Sequence, residues 1–338
     1  MNKQALETIA QAMVADGKGI LAADESTGTI KKRFDSIDVE STEDNRRDYR
    51  EMLFRTQDAM RDYISGVILF DETIRQKAAD GTPLTQLISD AGSLPGIKVD
   101  GGAKDLAGHA GEMVTEGLDG LRDRLSEYHG LGAKFVKWRA VINIADDIPS
   151  AACLTANNHA LARYAELCQE AEIVPIVEPE VIMDGSHSVE RCYEVTSAAL
   201  TGLYEQLAEQ SVHLEGTILK PNMVVSGTKH AEQAGVAQVA EMTIDCLKKC
   251  VPEAVPGIVF LSGGQSDEDA TAHLDAMNKI GGLPWKLSFS YGRALQAAPL
   301  KAWRGEAANV PSAQAAFAHR AKMNGLAARG QWDAAMEG

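Results

Sequence analysis

Lys220 closes the apolar run Ile218-Leu219 and is followed at once by Pro221-Asn222. Burying an ammonium at a strand end is unfavourable, and the same burial depresses its pKa. An ordinary lysine titrates near about 10.4 and is a poor nucleophile at neutral pH. A buried one exposes its lone pair, which attacks carbonyl carbon and forms a Schiff base. Taken alone, a lysine that snorkels to solvent is the plainer reading. The neighbours weigh against it. Lys137 and Arg139 share one face of an extended run, and Glu178 and Glu180 share one face of the next. Two carboxylates then stand between cationic groups. The charge of Lys137 disfavours a second ammonium beside it, and a glutamate shuttles the protons that carbinolamine formation and dehydration require. The alternative is a structural ring of ion pairs. Four such residues on two consecutive runs, with Lys220 on the next, favour chemistry.

Other reactive groups end other runs. Asp24 follows Leu21-Ala22-Ala23 and precedes Glu25-Ser26-Thr27-Gly28, and Lys98-Val99-Asp100 ends a third run. Ser26, Gly28 and Thr29 suit a turn that exposes hydroxyls and amides, and they equally suit a helix cap. The stretch Ser262-Gly263-Gly264-Gln265-Ser266 lets backbone amides approach a ligand closely. The stretch Ser290-Tyr291-Gly292-Arg293 adds a guanidinium ahead of a helical pattern. A helix N-terminus and an arginine both favour a phosphate dianion. Two glycines alone also make an ordinary turn.

These groups need a scaffold that brings strand ends together. Eight strand-length runs occur: 19–24, 66–72, 96–100, 133–139, 173–180, 216–222, 257–264 and 286–293. Each is rich in Ile, Val, Leu or Phe, as suits strands buried on both faces of a parallel sheet. The segments between them hold a helix and two loops. The pattern predicts an α/β fold, a (β/α)8 TIM barrel of eight parallel strands ringed by helices. In that fold reactive groups collect at the C-terminal strand ends, and the loops after strands seven and eight cradle phosphate. The helical patterns cover 1–18, 43–60 with Ser41 as cap, 74–91 broken at Gly81-Thr82-Pro83, 120–128, 150–172, 189–209, 231–249, 266–278, 294–303 and 311–329. No composition shift marks a boundary, so residues 1–338 read as one barrel domain with an N-terminal helix and a short C-terminal tail.

The formal net charge of −15 disfavours nucleic acid and anionic membranes as partners. An anionic substrate then requires a local cluster of Lys and Arg. Five cysteines without a CxxC pair point to a reducing compartment. Cys246 and Cys250 lie one helical turn apart and read most simply as ordinary thiols. The first residues lack a long apolar stretch, and no segment reaches transmembrane length, so a soluble cytoplasmic protein is expected. The eight histidines form neither HxH nor HExxH, so no metal is expected. GxGxxG, GxxxxGK[ST] and GxSxG are absent, so neither a nucleotide cofactor nor a serine hydrolase is expected.

The stretches GKGILAADESTGTI, NRRDYREML, GVILFDET, GIKVD, EGLDGL, AKFVKWR, IVPIVEPE, LEGTILKPNM, FLSGGQS and FSYGRALQ together resemble class I fructose-1,6-bisphosphate aldolase. The resemblance runs from about Gly17 to about Arg329. It implies reversible, metal-independent aldol cleavage of fructose 1,6-bisphosphate to dihydroxyacetone phosphate and glyceraldehyde 3-phosphate, in glycolysis and gluconeogenesis, with no cofactor. It implies Lys220 as the Schiff-base lysine, Glu178 as the proton shuttle for carbinolamine dehydration and Glu180 as its support. Lys137 and Arg139 would orient sugar hydroxyls and leaving group, and Asp24 would position the intermediate and assist cleavage. Ser262, Gly263, Gly292 and Arg293 resemble the site for the phosphate at the ketose end, and Ser26 and Lys98 the site for the other phosphate. The family is commonly tetrameric, and Asp119 in EGLDGL matches a segment of its subunit contact, so a homotetramer is expected. Thr29 stands where animal members have a second serine. Those members also end in a tyrosine that assists proton exchange on the enamine. The last tyrosine here is Tyr291, and Trp332 offers no phenol, so that transfer is expected to use another group or water. Sedoheptulose 1,7-bisphosphate or fructose 1-phosphate as main substrate, and a non-catalytic barrel scaffold, are the alternatives.

Overall fold

The apolar runs become the parallel strands β1 (Gly19–Ala23), β2 (Ile64–Leu69), β3 (Leu94–Lys98), β4 (Phe135–Ile142), β5 (Val174–Val181), β6 (Ile218–Leu219), β7 (Gly257–Phe260) and β8 (Lys286–Tyr291). They pair in chain order and close through β1 and β8, giving the expected (β/α)8 barrel in a computed structural model that describes residues Met1–Gly338. Nearly every strand residue is buried, because helices cover the outside and side chains fill the inside. No helix is long and apolar enough to cross a membrane.

The N-terminal ends of the strands are sealed. The Phe135 ring lies inside this end, and a Cβ on Gly66 or Gly96 would stand within 2.7 Å of it. Glycine there is a packing requirement, and it explains why two of the runs open on glycine. Below the ring sits the helix Lys3–Met13, capped by the Asn2 side chain, which accepts from Ala5 N at 3.2 Å. Its Leu6, Ala10 and Met13 pack with Ile20, Ile68, Val174, Ile176, Ile218 and Val259 to stopper the barrel. The Ser65 hydroxyl ties the stopper down by donating to Met13 O at 2.6 Å and Gly19 O at 3.0 Å.

Several elements differ from the sequence reading. The helix expected over 43–60 divides into Glu43–Phe54 and Gln57–Tyr63. The Thr56 hydroxyl donates to Met52 O, a local bond that competes with helix continuation. Thr42, not Ser41, caps it, accepting from Asn45 N at 3.1 Å. The N-terminal helix ends at Met13 rather than 18. The break near Gly81-Thr82-Pro83 lies between Asp71–Arg75 and Leu84–Asp90. The run 216–222 yields only two strand residues, since Leu214–Gly216 forms a 3-10 turn and Pro221 has no N–H to donate. A helix over Thr27–Asp35 was unforeseen, as was an antiparallel hairpin of Ala103–Asp105 and Met113–Thr115 after β3.

Candidate active site

The C-terminal ends of the strands open into a cavity of about 350 Å³, within the size range of small-molecule sites. All twelve candidate residues line it: Lys220, Glu178, Glu180, Lys137, Asp24 and Arg139, and also Ser26, Lys98, Ser262, Gly263, Gly292 and Arg293. A concavity of about 290 Å³ at the opposite end, near Lys18, Trp285 and Arg329, contains none of them.

Strand register explains the centre. Lys98 pairs with Lys137, and Arg139 with Glu178, across neighbouring strands, so alternate residues of β4 and β5 face inward together. Lys220 follows β6 and keeps its place through Lys220 N donating to Val177 O at 2.9 Å. Its Nζ lies 3.0 Å from Glu178 Oε1. Lys137 Nζ lies 2.8 Å from Asp24 Oδ2 and 3.1 Å from Glu178 Oε2. The Lys137–Glu178 contact is an ion pair of poor hydrogen-bond geometry, which leaves Glu178 Oε2 without a directional partner. Glu178 therefore stands between two ammonium groups, and Lys137 does not face Lys220 unscreened. Arg139 pairs with Glu180.

Burial pushes the Glu178 carboxyl up, but Lys137, Lys220 and Arg139 outweigh it and hold it below the usual carboxylate range. Burial likewise opposes the charge on Asp24, yet Lys137, then Lys220 and Lys98, hold its pKa at about 2. Burial opposes the charge on Lys137, and Asp24, Glu178 and Asp100 raise it nonetheless. The resting site is thus a lattice of fixed charges on buried side chains at the cavity floor. The Asp24 pair contributes about 2 kcal/mol of stability. Its folded pKa lies below its unfolded value near 3.8, so that contribution is present above 3.8 and lost as pH falls towards 2. Urea unfolding of wild type and Asp24→Asn will show a gap that closes across this window. A gap that persists unchanged in strong acid would contradict the ion pair.

The mouth is built from helix starts. Ser26 caps Thr27–Asp35, and its Oγ lies 3.1 Å from Thr29 Oγ1, so the cap and the exposed hydroxyls are one feature. Lys98 pairs with Asp100 at 2.7 Å, and Asp100 also accepts from Arg139 N and Gly102 N. Across the cavity, Gly263 and Gly264 pack on Met183. A Cβ on Gly264 would stand 2.2 Å from Met183 Cγ, and its φ of +73° suits glycine alone. Gly292 precedes the helix Arg293–Trp303. Tyr291 points outward, donating to Ala270 O at 2.8 Å, so its phenol is outside the cavity.

Ser290, Glu25 and Arg33 also line the cavity, and the sequence reading gave none of them a role. Ser290 is buried with no hydrogen-bond partner for its hydroxyl. Its parity with Gly292, the residue just past β8, was the available signal. Arg33 lines the mouth and pairs with buried Glu25, which also accepts from Gln296 Nε2 at 2.7 Å. Ser26, Thr29 and Arg33 lie at helical spacing, in a segment whose sequence suited a turn and a helix cap equally. No group of three or more His, Cys, Asp or Glu side chains is arranged to hold a metal ion.

A family model described as fructose-bisphosphate aldolase class-I matches residues 5–338. A probable fructose-bisphosphate aldolase class 1 of Xanthomonas campestris pv. campestris is 62% identical over 333 residues, covering 98% of this chain and 99% of its own length. A cytosolic fructose-bisphosphate aldolase of Arabidopsis thaliana is 54% identical, covering 93% of this chain and 80% of its own. The solved fructose-bisphosphate aldolase of Plasmodium falciparum, in complex with TRAP and a small-molecule inhibitor, superposes with a TM-score of 0.96 at 46% identity, over 98% of this chain and 96% of that one.

Proposed function

The chain belongs to the class-I fructose-bisphosphate aldolase family, a family of carbon–carbon lyases, and from that premise we propose that it cleaves fructose 1,6-bisphosphate reversibly through a Schiff base on Lys220. The observation that carries the reading is Lys220 held 3.0 Å from a carboxylate that it shares with Lys137. Glu178 is in place to take the ammonium proton and free the amine. The amine adds to the ketone carbon, and Glu178 returns a proton to the carbinolamine oxygen, which leaves as water. The iminium then accepts the electron pair of the breaking carbon–carbon bond. Asp24 or Glu178 takes the proton of the hydroxyl that becomes the aldehyde. Lys137 and Arg139 hold the sugar hydroxyls, and Glu180 fixes Arg139.

The phosphates set the register of the sugar. Ser262, Gly263, Gly292 and Arg293 take the phosphate at the ketose end, and Ser26 and Lys98 take the other. Clamping both ends aligns the scissile bond before reaction, which removes much of the entropic barrier. Local positive charge at the two ends steers a dianion into a protein of net charge −15. The same reading places the reaction in the cytoplasm, in glycolysis and gluconeogenesis.

Borohydride reduction in the presence of dihydroxyacetone phosphate tests the assignment. Label is expected on the peptide containing Lys220, with cleavage activity unaffected by a chelator. Label on another lysine, or activity lost on metal removal, rejects it.

A further inference from the structure

The loop Leu261–Ser266 joins β7 to the helix Asp267–Ile280. Ser262 and Gly263 line the cavity, and the backbone N–H groups of Ser262, Gly263 and Gly264 make no hydrogen bond within the chain. Successive free amides favour an anion. Such a loop is costly to hold still, because glycine has the widest backbone freedom of any residue. Its turn closes through Gln265 N, which donates to Ser262 O at 3.2 Å, and Ser266 caps the helix by accepting from Asp269 N at 3.0 Å. One more bond reaches the loop from the helix itself. His273, about two turns along, is buried, and its Nδ1 lies 2.6 Å from Gln265 Oε1. An amide oxygen only accepts, so the ring's Nδ1–H donates. Burial pushes the imidazole down against the opposing charge of Asp269, so the ring is neutral at physiological pH.

We propose that His273 is a positioning residue for the ketose-end phosphate, holding the amides of Ser262, Gly263 and Gly264 in their binding geometry through Gln265. The inference rests on the cleavage reading above and deepens it. His273 does not line the cavity, so it acts only through the loop. It can do so because its own helix is anchored. Arg320, from the helix Val310–Ala327, donates through Nη2 to Asp267 O at 3.1 Å and to Thr271 Oγ1 at 2.6 Å. Thr271 Oγ1 also lies 2.7 Å from Asn324 Oδ1, and the Tyr291 hydroxyl of β8 donates to Ala270 O. The first turns of the helix are thus fixed to a second helix and to the barrel, and His273 extends that rigidity by one bond to Gln265. Gly264 meanwhile packs on Met183. Held by a hydrogen bond and by packing, the amides are ordered before a phosphate arrives. Binding then avoids the entropy loss of ordering the glycines.

The test compares wild type with His273→Leu, His273→Asn and Gln265→Met. Each is trapped by borohydride with dihydroxyacetone phosphate, or with dihydroxyacetone, which lacks the phosphate. On the cleavage reading both ketones form an imine on Lys220, and only the first engages the loop. In His273→Leu and Gln265→Met the dihydroxyacetone phosphate concentration for half-maximal labelling should rise about fivefold, the worth of one hydrogen bond, and in His273→Asn it should stay within about twofold of wild type. Asparagine restores the bond because its Nδ2 takes nearly the place of the histidine Nδ1. Labelling with dihydroxyacetone should be the same in every variant. An equal loss with both ketones would mark His273 as merely structural and overturns the proposal. So does an unchanged dihydroxyacetone phosphate requirement in both His273→Leu and Gln265→Met, or His273→Asn behaving like His273→Leu. Wild type that takes no label from either ketone refutes the cleavage reading, and this inference falls with it.

Discussion

Lys220→Met will reduce turnover of fructose 1,6-bisphosphate by at least about 10⁴-fold, equivalent to about 5 kcal/mol of transition-state stabilisation. The size follows from the role. Without an iminium, the electrons of the breaking bond must collapse onto a neutral ketone, and no other lysine shares the position of Lys220 at the end of β6. The change is also structurally mild. Methionine keeps the length of the buried stem, and Glu178 remains paired with Lys137 at 3.1 Å, so no carboxylate is left isolated. Thermal unfolding should therefore move by only a few degrees. A cleavage assay coupled to triose phosphate detection, with borohydride labelling in parallel, reads both effects. Turnover within tenfold of wild type would end the Schiff-base assignment.

Glu178→Gln should lower kcat by about 10²–10³-fold, while KM changes by less than about threefold. The amide keeps the shape of the carboxylate and cannot take or return the protons of carbinolamine formation. It also leaves two ammonium groups facing each other, with Asp24 as the only remaining carboxylate on Lys137. That costs about 3 kcal/mol of stability. The two effects separate experimentally. A purely structural Glu178 would reduce the folded fraction and leave turnover per folded molecule intact. A proton shuttle slows imine formation itself, which timed borohydride quenching measures. Normal imine formation in the folded variant would place the shuttle elsewhere.

How much of this was legible in the sequence differs by element. The strands were recognisable because a strand buried on both faces is an uninterrupted apolar run, and parity then brought Lys137, Arg139, Glu178 and Glu180 to one side. Their ends were less so. β2 begins at Ile64 because buried Ser65 satisfies its hydroxyl on Met13 and Gly19, a partner 46 or more residues away. The helix Thr27–Asp35 was hidden by Gly28 and by its run of lysine and arginine, which exposes little apolar periodicity. With it went Arg33, whose place at the mouth depends on Glu25, itself held by Gln296 from the far end of the chain. The hairpin after β3 lies among Gly101, Gly102, Gly108 and Gly111, where turn signals outnumber strand signals. Ser290 was quoted within its stretch but given no role, because parity with Gly292 was the one mark it carried in one dimension.

The stopper formed by Lys3–Met13 sets an order of events during synthesis. Its apolar face docks on residues from β1 to β7, the last of them Val259. This segment is made before every strand it docks on, so it has no finished seat until about 250 more residues have left the ribosome, a wait of tens of seconds at bacterial or eukaryotic elongation rates. Lys3, Gln4, Glu7 and Gln11 give its other face the polarity to remain dissolved meanwhile. Closure of the ring and the seating of this first helix are therefore coupled, and a nascent chain arrested before Val259 emerges should display that helix to proteases and chaperones.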